Sequence, residues 1–378
     1  MTRRAWVVLS LALAAGAAIL IYVLYPKIPA HLTLAPARYD RLPGWRDDTL
    51  AAALPALLRS CAALLAKPDD AALDAKVRSF DFGPVGLWRK PCAGAAAVPP
   101  KDEGAARGFF EDAFTPFLAG NNGDSAGLFT GYFEATLHGS RRRGGRYQTP
   151  LYRRPPDPTR YSRAQIEDGA LAGQGLELLW VDDPVDAFFL EIQGSGRVRL
   201  PDGGIVRVGY DGSNGKPYTA IGRLLIERGI LPRDKVTMAS IRAWMEAHPK
   251  AGAALRRENA SYVFFREIAG AGPLGAERVV LSAGRSLAVD RRFIPLGLPI
   301  WLDAQERFGP GVVRRLVIAQ DAGGAIKGPV RGDLFWGHGK NAADGAGAMN
   351  ARGRYYLLLP RAVAARLGAR IAVGAAAH

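Results

Sequence analysis

The longest apolar stretch of the chain runs from Ala5 to Tyr25, 21 residues without a charge, directly after Arg3 and Arg4. At about 1.5 Å of rise per residue, a helix of this length crosses a hydrocarbon core of about 30 Å. A cleaved signal peptide has a shorter apolar region, about 7–15 residues. The run therefore predicts an uncleaved signal anchor over 1–27, with the two arginines on the inner side and the body outside the membrane. Cleavage near the Ala-rich segment 12–18 and a buried core helix are the alternatives. Pro26 to Pro43 reads as a tether. Asp47 and Asp48 stand where a helix running to about Leu65 needs a cap. Ala106, Phe109, Phe110, Phe114 and Phe117 predict a second helix over Asp102 to Leu118. From Gly127 the period changes, and short β-rich runs bounded by Gly and Pro begin: 128–135, Phe188 to Gln193 and Val206 to Tyr210. Helices follow at Pro217 to Arg228 and Lys235 to Ala247. Further strands lie at 262–265, 286–289, 298–302 and 316–319, with a last helix at about Pro360 to Leu367. The pattern predicts a mainly β fold with peripheral helices, built as one or two β-barrels.

Composition narrows the function classes. The 378 residues suffice for two domains, and 48% hydrophobic residues can bury a sizeable core. Lys and Arg number 50 against 35 Asp and Glu, a formal charge of +15 that draws the chain to acidic surfaces. The dense run Arg141-Arg142-Arg143 with Arg146 reads as a solvated loop; contact with an acidic polymer or lipid head groups is the alternative. Charge alone does not make a nucleic-acid binder, and no recognised nucleic-acid module occurs. Cys61 and Cys92 form no CxxC; they either pair in an oxidising compartment or sit buried as small apolar residues.

Metal and cofactor chemistry find no support. The histidines His31, His138, His248, His338 and His378 lack ligand spacing, and neither a phosphate loop nor a dinucleotide fingerprint appears. Three aspartates remain where strands meet turns: Asp290, Asp321 and Asp333. Any one alone could simply bond its own turn. Leu334, Phe335 and Trp336 follow Asp333, and apolar neighbours raise a carboxyl's pKa as a general acid requires. Asp321, among glycines and near Lys327, is expected to stay ionised, giving one acid and one supporting anion. His338 reads as an exposed loop residue. Gly194-Ser195-Gly196 lacks the elbow of a nucleophilic serine. Gln193, Gly194, Ser195 and Gly196, read as a strand end with two glycines, could instead let a sugar approach the backbone; a plain hairpin turn is the alternative.

The motifs 130–134 (TGYFE), 148–152 (QTPLY), 192–196 (IQGSG), 207–212 (RVGYDG), 259–265 (NASYVFF), 286–290 (SLAVD), 294–297 (IPLG), 320–328 (QDAGGAIKG) and 331–337 (RGDLFWG) occur in that order. Over roughly 45–360 the chain thereby resembles the membrane-bound lytic murein transglycosylase A family. The resemblance implies a double-psi β-barrel made from residues 28–139 and 261–378, with a smaller β-domain inserted at 140–260 and a cleft between them. It implies Asp333 as acid and base and Asp321 as supporting carboxylate, with Asp290 the third member of the signature. Substrate contacts are expected from Tyr132, Gln193, Gly194, Ser195, Gly196, Asp290, Lys327 and Trp336. It further implies non-hydrolytic cleavage of peptidoglycan glycan strands between N-acetylmuramic acid and N-acetylglucosamine, leaving 1,6-anhydro ends, without metal or cofactor. The body would sit in the periplasm of a bacterial envelope, with cell-wall synthesis enzymes as further partners. Familiar members carry a lipoprotein cysteine at the amino terminus; the spanning segment replaces it here. A two-carboxylate hydrolase and a non-catalytic glycan-binding module remain as rivals.

Overall fold

The computed structural model describes residues 29–270, 272–306 and 311–367, so the anchor expected over 1–27 lies outside the described residues. Among those described, no helix is long and apolar enough to cross a membrane. The chain opens with β1 (Leu32–Pro36), α1 (Leu54–Leu65), α2 (Gly86–Ala97), α3 (Glu103–Ala113), β2 (Phe114–Asn121) and the long β3 (Gly127–Ser140). A middle section follows: β4 (Thr149–Tyr152), α4 (Arg163–Glu167), β5 (Glu177–Val181), α5 (Pro184–Gln193), β6 (Ser195–Arg199), β7 (Ile205–Ser213), α6 (Ile221–Glu227), α7 (Met238–Ala247), α8 (Pro249–Arg257) and β8 (Val263–Glu267). The last section is β9 (Ser286–Val289), β10 (Pro299–Glu306), β11 (Val312–Asp321), β12 (Arg331–His338), α9 (Lys340–Ala348) and β13 (Asn350–Pro360).

Six strands close a ring in the order β13-β10-β11-β9-β12-β3, with β3 pairing back onto β13. β9 and the inner parts of β11 and β13 are buried on both faces, so they read as continuous apolar runs rather than as alternation. Leu316, Val317, Ile318 and Ala319 are all fully buried, and Leu357, Leu358 and Leu359 likewise. Closure requires close backbone approach: a Cβ on Gly353 would stand 2.2 Å from the Asp303 carbonyl of β10.

β3 belongs to two units. Leu128 to Glu134 pair with β12, whereas Ala135 to His138 pair with β6. The chain thus enters the second unit at Ala135 and leaves it after β8. The second unit has its own apolar cluster, including Leu137, Leu179, Leu190, Val198 and Phe265. Glu134, buried at the crossing, pairs with Arg197 at 2.7 Å and Arg207 at 3.7 Å, and Arg207 also donates to the Gly270 carbonyl on the returning chain.

Several local expectations are corrected. Phe188 to Gln193 is helical: Asp183 accepts from the Val185 amide, Pro184 opens α5, and Phe188, Phe189 and Leu190 are buried because the helix lies between two apolar clusters. Phe114 and Phe117 belong to β2, since the helix capped by Asp102 ends at Ala113. Asp48 does not cap α1; it binds Arg285 at 2.7 Å and the Leu316 amide at 2.8 Å. The predicted helix at Pro217 begins only at Ile221. The strand β13 and the helix α8 have no counterpart in the sequence reading.

Cys61 and Cys92 form a disulfide between α1 and α2. It closes a loop of separation 31. Chain entropy for a loop of that size corresponds to about 3–4 kcal/mol. Replacing both cysteines by alanine is expected to lower the unfolding free energy by that amount, read from denaturant unfolding with the m-value rising as the unfolded chain expands.

Candidate active site

Register across the ring brings the acidic residues into one row. Asp321 of β11 pairs with Ala288 of β9, Ala288 with Asp333 of β12, Asp333 with Thr130 of β3, and Thr130 with Asn350 of β13. Residues paired across a sheet share a face, and strands lie about 4.8 Å apart. Asp321 and Asp333 are therefore two strands apart, about 10 Å between backbones, with Ala288 on the strand between them. Asp321 ends its strand, as predicted; Asp333 is the third residue of β12, inside the strand rather than beyond it.

Asp333 is partly accessible. Its Oδ1 accepts from Thr130 Oγ1 at 2.7 Å, and Thr130 Oγ1 accepts from Arg331 Nη2 at 2.8 Å. Buried Tyr132, Leu281, Ala288, Ile326 and Phe335 form an apolar cluster on the same side. Burial pushes the Asp333 carboxyl up to about 6, against the opposing pull of the Arg331 guanidinium and the Thr130 hydroxyl, with Asp321 adding a smaller upward push. Of the three apolar residues that follow Asp333, Phe335 alone lies in this cluster. Leu334 and Trp336 alternate onto the opposite face and pack against the main core. Thr130 and Arg331, which tie Asp333 down, were not singled out; both lie in the quoted motifs.

Asp321 accepts three hydrogen bonds: from Tyr132 Oη at 2.7 Å on Oδ2, and from the Ala322 and Ala276 amides at 2.8 and 2.9 Å on Oδ1. Burial nevertheless moves its carboxyl upward, with those three donors pulling the other way. Lys327, expected beside Asp321, is exposed and makes no ion pair among the described residues. Asp290 is tied to Arg292 at 2.6 Å and to the Gly328 amide at 2.7 Å. Burial raises its carboxyl, but the Arg292 guanidinium and the two backbone amides outweigh this and hold it below the usual range. It clamps the loop before β12.

The other residues expected to contact substrate lie around this row and along α5 and β6. Tyr132 is buried and directs its hydroxyl to Asp321. Gln193 is buried at the end of α5, its Oε1 accepting from the Phe133 amide at 2.9 Å. Gly194 is in the left-handed region with φ 78°, ending the helix as such glycines do. Ser195, buried, starts β6. A Cβ on Gly196 would stand 2.4 Å from Leu190 Cδ1, so this glycine lets α5 lie on the sheet. Trp336 abuts Gly131 and Gly345, and its buried Nε1 has no hydrogen-bond partner among the described residues. His338 is exposed. Among the described residues no group of His, Cys, Asp and Glu is arranged to hold a metal ion.

Two family models match the chain: "MltA specific insert domain" over residues 128–266 and "3D domain" over 285–359. The membrane-bound lytic murein transglycosylase A of Escherichia coli K12 is 37% identical over 238 residues. That alignment covers 61% of this chain and spans 65% of the E. coli relative's length. A crystal structure of a membrane-bound lytic murein transglycosylase from Agrobacterium tumefaciens superposes with a TM-score of 0.77 at 32% identity, covering 88% of this chain and 99% of that one. The E. coli MltA with bound chitohexaose gives 0.69 at 28% identity, covering 88% and 94%. With both family segments matched in order and nearly the whole of a related crystal structure covered, the chain belongs to the membrane-bound lytic murein transglycosylase A family.

Proposed function

We propose that this protein cleaves peptidoglycan glycan strands between N-acetylmuramic acid and N-acetylglucosamine without consuming water. The observation that carries the reading is Asp333: a partly accessible carboxyl, desolvated enough to be protonated near neutrality, and oriented by one hydroxyl. Protonated Asp333 donates to the glycosidic oxygen as the bond to C1 breaks through an oxocarbenium-like state. The resulting carboxylate accepts the proton of the muramic acid C6 hydroxyl, whose oxygen closes on C1. The proton count balances, and the product ends in 1,6-anhydromuramic acid. Asp321 favours this route over two-carboxylate hydrolysis. The second carboxylate of an inverting hydrolase must hold and deprotonate a water, and that of a retaining one must attack C1 itself; the oxygens of Asp321 already accept from Tyr132, Ala276 and Ala322. Its role is a supporting carboxyl, fixed in place beside the charge that develops.

The family likeness and the closed six-stranded ring support the finer reading of a double-psi barrel, with the glycan lying between it and the second unit. Lys327 is exposed on the loop before β12 and makes no ion pair among the described residues, which suits a contact with the glycan. The Cys61–Cys92 disulfide supports an oxidising compartment, hence an envelope location with residues 1–27 as membrane anchor. Digestion of purified cell wall tests the reaction. Mass spectrometry is expected to find fragments one water lighter than those of a hydrolase. Reducing ends in their place would establish hydrolysis, and no released fragments would leave a binding module.

A further inference from the structure

Glu277 is a half-buried acid outside the row of Asp321 and Asp333, on the segment between β8 and β9. Its Oε2 accepts from Ser60 Oγ of α1 at 2.5 Å, and Ser60 Oγ accepts from Gln320 Nε2 at 2.9 Å. Gln320, fully buried beside Asp321, also donates to the Ala56 carbonyl and accepts from Ser286 Oγ. The Glu277 amide donates to the Gln320 carbonyl at 3.1 Å. The backbone closes on this carboxyl: a Cβ on Gly297 would stand 3.1 Å from Glu277 Oε1, and one on Gly275 2.3 Å from the Gln320 carbonyl. The turn is strained, with Arg278 at φ 64° and its amide donating to the Gly275 carbonyl. Such a conformation persists only where its surroundings over-determine it. Between these anchors sits Ala276, whose amide donates to Asp321 Oδ1 at 2.9 Å.

We propose that Glu277 is a positioning residue of the reaction: its carboxyl pins the turn at 275–279 to α1 and β11, and through the Ala276 amide it fixes the orientation of Asp321 beside Asp333. This rests on Asp321 and Asp333 forming the catalytic pair. The site suits a neutral acid. Burial pushes the Glu277 carboxyl up to about 7, with the Ser60 hydroxyl, Lys67 and Arg291 pulling it down and Asp74 pushing it further up. Of those groups Asp74 is itself paired with Arg291 at 2.9 Å, and Lys67 donates to the Leu73 carbonyl. The folded state therefore holds a proton that the unfolded state, at about 4.5, has released. The stability this contact contributes is complete below that value and is lost as pH rises through about 7. Ionisation draws the turn toward water and away from Asp321.

The full-length protein is assayed on soluble glycan strands by fragment release. Glu277→Ala is expected to lower kcat about tenfold with KM within about twofold, an unchanged circular dichroism spectrum and faster amide exchange over 275–279. Glu277→Gln, isosteric and unable to ionise, restores kcat at pH 6. At pH 8 it keeps about tenfold more of its pH 6 rate than the wild type does. Wild-type kcat in Glu277→Ala, a rise in KM alone, or identical pH 8 to pH 6 ratios in Glu277→Gln and wild type would overturn the proposal. If Glu277→Ala does not fold, Ser60→Ala removes only the hydroxyl; it must lower kcat without raising KM, and unchanged kcat overturns the proposal equally. Asp333→Asn runs beside these variants. Cleavage surviving there sinks the catalytic reading itself, a result distinct from any outcome at Glu277.

Discussion

Asp333→Asn loses glycan cleavage by about 10²–10⁴-fold while still binding glycan strands. Asparagine keeps the shape of the side chain and an oxygen that can accept from Thr130 Oγ1, now at 2.7 Å from Asp333. It has no transferable proton and cannot reclaim one from the muramic acid hydroxyl, so both halves of the reaction stop. Fragment release and co-sedimentation with purified cell wall separate the two effects. A variant that cuts at the wild-type rate removes Asp333 from the chemistry. Stability should move the other way. The folded carboxyl titrates at about 6, above its ordinary 3.8, so the folded state binds more protons between those values. The wild type is therefore destabilised as pH rises through that window, and the neutral amide is not. The melting temperature of Asp333→Asn is expected to exceed that of the wild type at pH 7.5, with the gap closing below pH 4.

Much of the site was legible as residue types and little of it as direction. The strands that lead to Asp290 and Asp321 announce themselves as short apolar runs before turn residues, because β9 and the inner part of β11 are buried on both faces. Proximity of Asp321 and Asp333 was not readable, since it depends on β9 lying between β11 and β12. Side-chain direction misled at Trp336, three residues from Asp333 and on the other face. At Gln193 the run of phenylalanines has the composition of a strand, but Asp183 and Pro184 open a helix and Gly194 closes it. Periodicity cannot separate a buried strand from a buried helix over so few residues. Thr130 escaped notice for another reason: a threonine in a strand has no chemical signature until its partner across the ladder is known.

That partner gives the last and most specific expectation. Thr130 Oγ1 stands between Arg331 Nη2 and Asp333 Oδ1, accepting from one and donating to the other. Thr130→Val preserves volume and strand propensity but removes both bonds. A hydrogen bond to a charged group contributes about 1.5–3 kcal/mol, and a pKa unit corresponds to about 1.4 kcal/mol. The bond from Thr130 lowers the Asp333 pKa, so its loss must raise it. The alkaline limb of the kcat profile, set by the acid's deprotonation, is expected to move up by about one to two pH units. The rate at the optimum should fall about tenfold, because a carboxyl freed from its tether no longer faces the glycosidic oxygen in one orientation. Thr130→Ser keeps the hydroxyl and should restore both the limb and the rate. A limb that stays at its wild-type pH in the valine variant would mean that Thr130 does not tune Asp333, and that the desolvating cluster around Tyr132 and Phe335 alone sets the acid's strength.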